Sequence, residues 1–181
     1  MKKVMFYYFR VVALALLVST PVVAQTKVIA CSIGPRQPAD CFIGKWKLDT
    51  EKSYVDSSYV PPWPKFHADL KLKQGSVTFR REGKDGYTFE VIAEFNDGTW
   101  QMAGPATFDS AYKGVWGDKK AVFTSKRVGD HGFKILIANE QTLTVTEVLL
   151  FNVSSDDTTL VLTDFRPGEK NPFLTMVFNK R

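Results

Sequence analysis

Two histidines, two cysteines and no glycine-rich phosphate loop leave this 181-residue chain with little of the equipment that catalysis usually requires. A serine or cysteine nucleophile needs a base within hydrogen-bond reach, and His67 and His131 are the only imidazoles. Neither stands near a nucleophile elbow or at metal-ligand spacing, so both read as surface residues. Glu90 and Glu94 share one face of a predicted strand, but about 13 Å separates them at normal strand rise, too far for a glycosidase pair. Dinucleotide and calcium-loop patterns are missing too. No catalytic residue, metal ligand or cofactor is therefore assigned, and the chain is not expected to be an enzyme.

Charge of one sign is also in short supply. The whole chain carries +5, from 24 Lys and Arg against 19 Asp and Glu. Three of those cations, Lys2, Lys3 and Arg10, precede the run Val11 to Val18, and no acid lies before residue 25, so the rest carries only +2. That is too little for a nucleic-acid partner, which needs a concentrated basic face. The first 24 residues read as a signal peptide, with Pro21 breaking the apolar run and Val22 and Ala24 offering the small side chains read at cleavage. Pro21 and Gln25 cut the run short of the roughly 20 residues of a membrane span. Secretion or periplasmic export with cleavage near Ala24 is the expectation. The 157 residues that follow suffice for one domain with a real core.

Both cysteines, Cys31 and Cys41, fall early in a chain expected to reach an oxidising compartment, so they should pair. The closed loop would stabilise by roughly 2.8 kcal/mol and tie an N-terminal arm, residues 25–40, to the domain at 41–181. The alternative is a lipid anchor at Cys31, since Val28 to Ala30 resemble a lipobox; Gln25 and Lys27 interrupt the apolar approach it needs.

Helical periodicity is absent from the rest, and period-two alternation recurs in its place. Tyr87, Phe89, Val91, Ala93 and Phe95 alternate with polar or half-exposed positions, as do Leu70 and Leu72, Val77 and Phe79, and Phe133, Ile135 and Ile137. Thr142 to Phe151, Thr159 to Phe165 and Phe173 to Phe178 are rich in β-branched and aromatic residues. Turn residues punctuate these runs at Gln74–Gly75, 83–86, 96–98, Gly117–Asp118, 129–132, 139–141 and 154–157. An all-β, up-and-down antiparallel β-barrel of about 8–10 strands follows, with a β-sandwich as the alternative. Tyr54 to Phe66, holding Pro61, Pro62 and Pro64 around Trp63, cannot be a central strand and reads as a stiff loop.

Phe42, Gly44, Trp46 and Leu48, with Lys47 between and Lys52 and Ser53 after, resemble the GxW signature of the lipocalin and fatty-acid-binding superfamily. They are most similar to the start of secreted bacterial lipocalin-like domains. The resemblance implies that Gly44 bends the chain into the barrel and that Trp46 plugs one end under a basic residue of the last strand, Lys180 or Arg181, with Arg181 taken as the motif residue. Thr163, Asp164 and Phe165 resemble the lipocalin TDY element.

Aromatic residues are the one functional lead. Phe79, Phe89, Phe95, Trp100 and Phe123 could line an interior that takes a small hydrophobic ligand, with Tyr59 and Trp63 in a lid over the mouth. The bland alternative is that they fill the barrel. Other readings are a protein-binding module or inhibitor acting through its surface or the arm at 25–40, and an envelope structural protein without ligand.

Overall fold

Alternating side chains form a strand when one of the two faces has something to pack against, and here that something is the far wall of the same sheet. The computed structural model describes residues 38–59, 69–82, 86–105 and 110–181. Among these residues a 3₁₀ turn, Pro38–Phe42, leads into ten strands: β1 (Gly44–Val55), β2 (Leu72–Glu82), β3 (Gly86–Phe95), β4 (Thr99–Pro105), β5 (Ala111–Trp116), β6 (Lys119–Val128), β7 (Gly132–Asn139), β8 (Val145–Val153), β9 (Thr159–Phe165) and β10 (Leu174–Lys180). β3 buries Tyr87, Phe89, Val91, Ala93 and Phe95, the alternation read from the sequence. β8 buries Leu149, Phe151 and Val153, and β9 buries Leu160, Leu162 and Asp164. Among the described residues no helix is long and apolar enough to cross a membrane.

All ten strands belong to one antiparallel sheet, ordered β4-β3-β2-β1-β10-β9-β8-β7-β6-β5. The up-and-down order is the expected one, and a single continuous sheet replaces the two packed sheets of a sandwich. Closure takes a different form from full hydrogen bonding. β1 pairs with β10, whereas β4 and β5 form the two ends of the sheet order. Side chains bridge those ends: Trp100 meets Trp116 edge to face at 5.9 Å, and the Tyr112 hydroxyl lies 2.5 Å from where a Cβ on Gly104 would stand. Only glycine admits so close an approach.

Two expected boundaries move. Gln74 and Gly75 are not a turn but lie inside β2, where the register against β3 shifts between Leu72 and Gln74. The reason is close approach, because a Cβ at Gly75 would stand 2.7 Å from the Ile92 carbonyl oxygen. β8 begins at Val145 rather than Thr142, since Asn139 Oδ1 accepts from the Gln141 and Thr142 amides and Leu143 adopts φ 56°. β1 is irregular between Asp49 and Tyr54, and there the Ser53 hydroxyl donates to the Asp49 carbonyl at 2.6 Å and accepts from the Val177 amide at 3.0 Å. Ser53 thus repairs the ladder to β10.

One end of the barrel is filled. Trp46 Nε1 donates to the Phe42 carbonyl at 2.9 Å, and Gly44 at φ 131° turns the chain between them. The basic partner over Trp46 is Lys180, not Arg181: its Nζ lies 5.0 Å from the ring centroid and 3.3 Å from the Cys41 carbonyl. The register decides this, since Trp46 pairs with Lys180 and the next residue, Arg181, turns outward and is exposed. Beneath lie Phe42, Phe79, Phe89, Phe133 and Phe151, with Phe133 and Phe151 stacked at 4.5 Å. Truncating one such ring costs about 3–5 kcal/mol.

Candidate functional site

Antiparallel order brings the C-terminal ends of β1, β3, β5, β7 and β9 to the rim opposite Trp46. After β1 the chain makes a tight turn on Asp56. Its Oδ1 accepts from the Ser58 amide at 2.8 Å and the Ser58 hydroxyl at 2.6 Å, and its Oδ2 accepts from the Tyr54 hydroxyl at 3.0 Å. The Tyr59 amide donates to the Asp56 carbonyl at 3.0 Å, which sends the Tyr59 side chain back over the rim. Tyr59 is 3% exposed and stacks on Phe173 at 5.3 Å and Phe95 at 6.2 Å. Its hydroxyl has no hydrogen-bond partner among the described residues.

Two acids face inward beside it. Asp164 continues the buried phase of Leu160 and Leu162, and Glu147 that of Leu149, Phe151 and Val153. Asp164 pairs with Leu149 on β8 and Leu174 on β10, and Glu147 pairs with Ile137 on β7. The two acids are therefore diagonal neighbours on adjacent strands, close enough for long side chains to meet. Asp164 is 0% exposed, and among the described residues neither of its carboxylate oxygens has a well-aligned hydrogen-bond partner, the Phe165 amide being only a weak one. Burial raises its pKa well above the usual carboxylate range, the Glu147 charge raises it further, and the Phe165 amide and Arg166 offset only part of this. Burial also pushes Glu147 up to about 7 against a hydrogen bond from Trp116 and the field of Arg166, and its Oε2 has no partner. The same burial, with both acids nearby, holds the Tyr59 hydroxyl firmly protonated. Arg166 sits on the rim, donating to the Ser58 carbonyl at 3.3 Å, 3.7 Å from Glu169, and over the Phe173 ring at 5.4 Å.

The structure separates the aromatic residues expected to line a site. Phe79 and Phe89 belong to the packed base. Phe95 lies under Tyr59 at the mouth, Trp100 meets Trp116 across the β4–β5 slot, and Phe123 stacks on Tyr112 at 4.9 Å. Trp63 lies outside the described residues. Asp164, Glu147 and Phe173 were missed as site residues. Their signal was available, because an acid in the inward phase of an apolar alternation is a polar group aimed at the core.

A second cluster occupies the base. The Cys41 sulfur, a His131 ring nitrogen and an Asp157 carboxylate oxygen all lie within 4.8 Å of one another. His131 and Asp157 come from two different hairpin turns, so chain spacing could not reveal them. A disulfide to Cys31, which lies outside the described residues, would consume the thiolate and leave two donors where zinc sites use three or four. The oxidation state of Cys41 therefore decides what this cluster can bind.

No family model matches the chain, and no curated protein matches it. Solved structures match in fold. The chain is similar to the wild-type fluorescent protein UnaG, with a TM-score of 0.58 and 13% identity over 79% of this chain and 98% of that one. It is similar to As-p18, an extracellular fatty acid binding protein, with a TM-score of 0.56 and 13% identity over 81% and 100% of the two chains. A Schistosoma mansoni fatty acid binding protein in complex with arachidonic acid gives a TM-score of 0.50 and 15% identity over 80% and 98%. At such identities the likeness shows the fold alone, an up-and-down antiparallel β-barrel.

Proposed function

We propose that this chain is an exported carrier of a small, largely apolar molecule, held in the mouth half of the barrel with Tyr59 as its cover. The observation that carries the reading is a set of buried polar atoms without well-formed partners among the described residues, gathered at one end of an otherwise apolar interior: the Asp164 carboxylate, Glu147 Oε2 and the Tyr59 hydroxyl. Buried polar groups are nearly always partnered in folded proteins, and a cluster of exceptions beneath one side chain suits a ligand that brings its own polar group. The filled base supports this by confining any ligand to the other end. Two of the similar structures are of fatty acid binding proteins, which favours an apolar occupant. The Gly44 to Ser53 pattern supports a place among secreted bacterial lipocalin-like domains, and residues 1–24 support export. The reading assigns no catalytic step to the chain.

Native mass spectrometry of the purified secreted protein checks it. A co-purifying apolar adduct, or uptake of one molecule from a panel of fluorescent apolar probes, is the expected result. A protein that is empty and leaves every probe unbound would refute it.

A further inference from the structure

We infer that the carried molecule bears a protonated amine, seated between Asp164 and Glu147 beneath Tyr59; this deepens the carrier reading and rests on it. The chemistry follows from the side chains gathered there. Asp164 from β9 and Glu147 from β8 offer carboxylate oxygens, which only accept when ionised, and Tyr59 from the loop after β1 offers a hydroxyl oxygen. An ammonium group carries three donors and no acceptor, so it matches three such oxygens.

A carboxylate head would do the opposite. Bound as an anion, it would repel whichever of the two acids ionises as pH rises, in a low-dielectric interior where like charges repel most strongly. Among the described residues Arg166 is the cation whose field reaches both acids, but it is half-exposed at the rim and engaged with Glu169, the Ser58 carbonyl and the Phe173 ring. Solvent screens it there, and Asp56 shares its field. The other neighbours of the two acids are Trp116 on β5, Ile137 on β7 and Leu174 on β10, none of which carries charge.

Because burial raises the pKa of both acids, an ammonium that pairs with their ionised forms competes with protons for them. Amine binding should therefore tighten as pH rises through neutrality, while the amine, whose own proton leaves near that of lysine, stays charged.

The test compares three probes of equal chain length, dodecylamine, dodecanol and dodecanoate, by displacement of a fluorescent apolar dye from the purified protein at about pH 6 and about pH 8. The amine should bind at least about tenfold more tightly than the carboxylate, about 1.4 kcal/mol, with the gap wider at the higher pH. The double substitution Asp164→Asn and Glu147→Gln should erase the preference and leave dodecanol unchanged. Glu147→Gln alone should shrink it, which preserves the test if the double variant does not fold. Dodecanoate binding as tightly as dodecylamine, or a preference that survives the double substitution, would overturn the amine assignment while the carrier reading stands. Failure of all three probes and the dye to bind would overturn both.

Discussion

A carboxyl taken out of water holds its proton more tightly than it does in the unfolded chain, and Asp164 and Glu147 both do so. The sign of the resulting pH dependence follows. Between the unfolded value of 4.5 and the folded value of about 7, the native protein binds more of the Glu147 proton than the unfolded chain does, so stability falls as pH rises through that window. The shift corresponds to about 3 kcal/mol, and Asp164 acts in the same direction. Thermal unfolding of the ligand-free protein should show a Tm that declines from about pH 5 to about pH 8, and Glu147→Gln should flatten the curve. A Tm that is level or rising over this range in the unsubstituted protein would show that the acids are not buried as described. Residue identity was only partly legible in advance. Trp46, Gly44 and the aromatic side chains announce themselves by type, but Asp164 was noticed as a sequence motif rather than as an acid in the inward phase of β9. The choice between Lys180 and Arg181 needed the β1–β10 register, which no local pattern contains.

Strands and turns were the most readable elements, because alternation and turn residues are local signals. Gly75 shows where such signals mislead: a glycine demanded by a close backbone approach looks the same in sequence as one demanded by a turn. The β4–β5 slot was not legible at all, since nothing in the two segments states that their backbones stay apart. Its side-chain seal is testable by a double-mutant cycle. Gly104→Ala should destabilise by about 1–2 kcal/mol, because the new methyl group meets the Tyr112 hydroxyl. That hydroxyl is buried without a hydrogen-bond partner among the described residues, and burial pushes its pKa up to about 12, so Tyr112→Phe should cost little by itself. Combined, the two changes should couple by at least about 0.5 kcal/mol in chemical denaturation, the ring without its oxygen leaving more room. Strict additivity would mean that the slot is not closed by this contact.

Over the whole molecule, one curled sheet does two jobs at its two ends. The base is a stack of phenylalanines closed by Trp46 and Lys180, which needs no ligand to be stable. The mouth buries two acids and a hydroxyl under Tyr59 with poor compensation, and the proposed carrier role rests on that uneven distribution. The barrel architecture itself was foreseeable from period-two patterning and the Gly44–Ser53 segment. The division into a phenylalanine-packed half and a half holding buried acids was not, because Phe79, Phe89 and Phe95 share one alternation class and differ only in their height along the barrel. Amide and side-chain chemical-shift mapping on addition of dodecylamine is the most direct test of that division. Perturbations should centre on Tyr59, Phe95, Glu147, Asp164 and Phe173 and fade toward Phe133 and Phe151. Shifts confined to the outer face, or centred on the phenylalanine stack beneath Trp46, would contradict a ligand seat at the mouth.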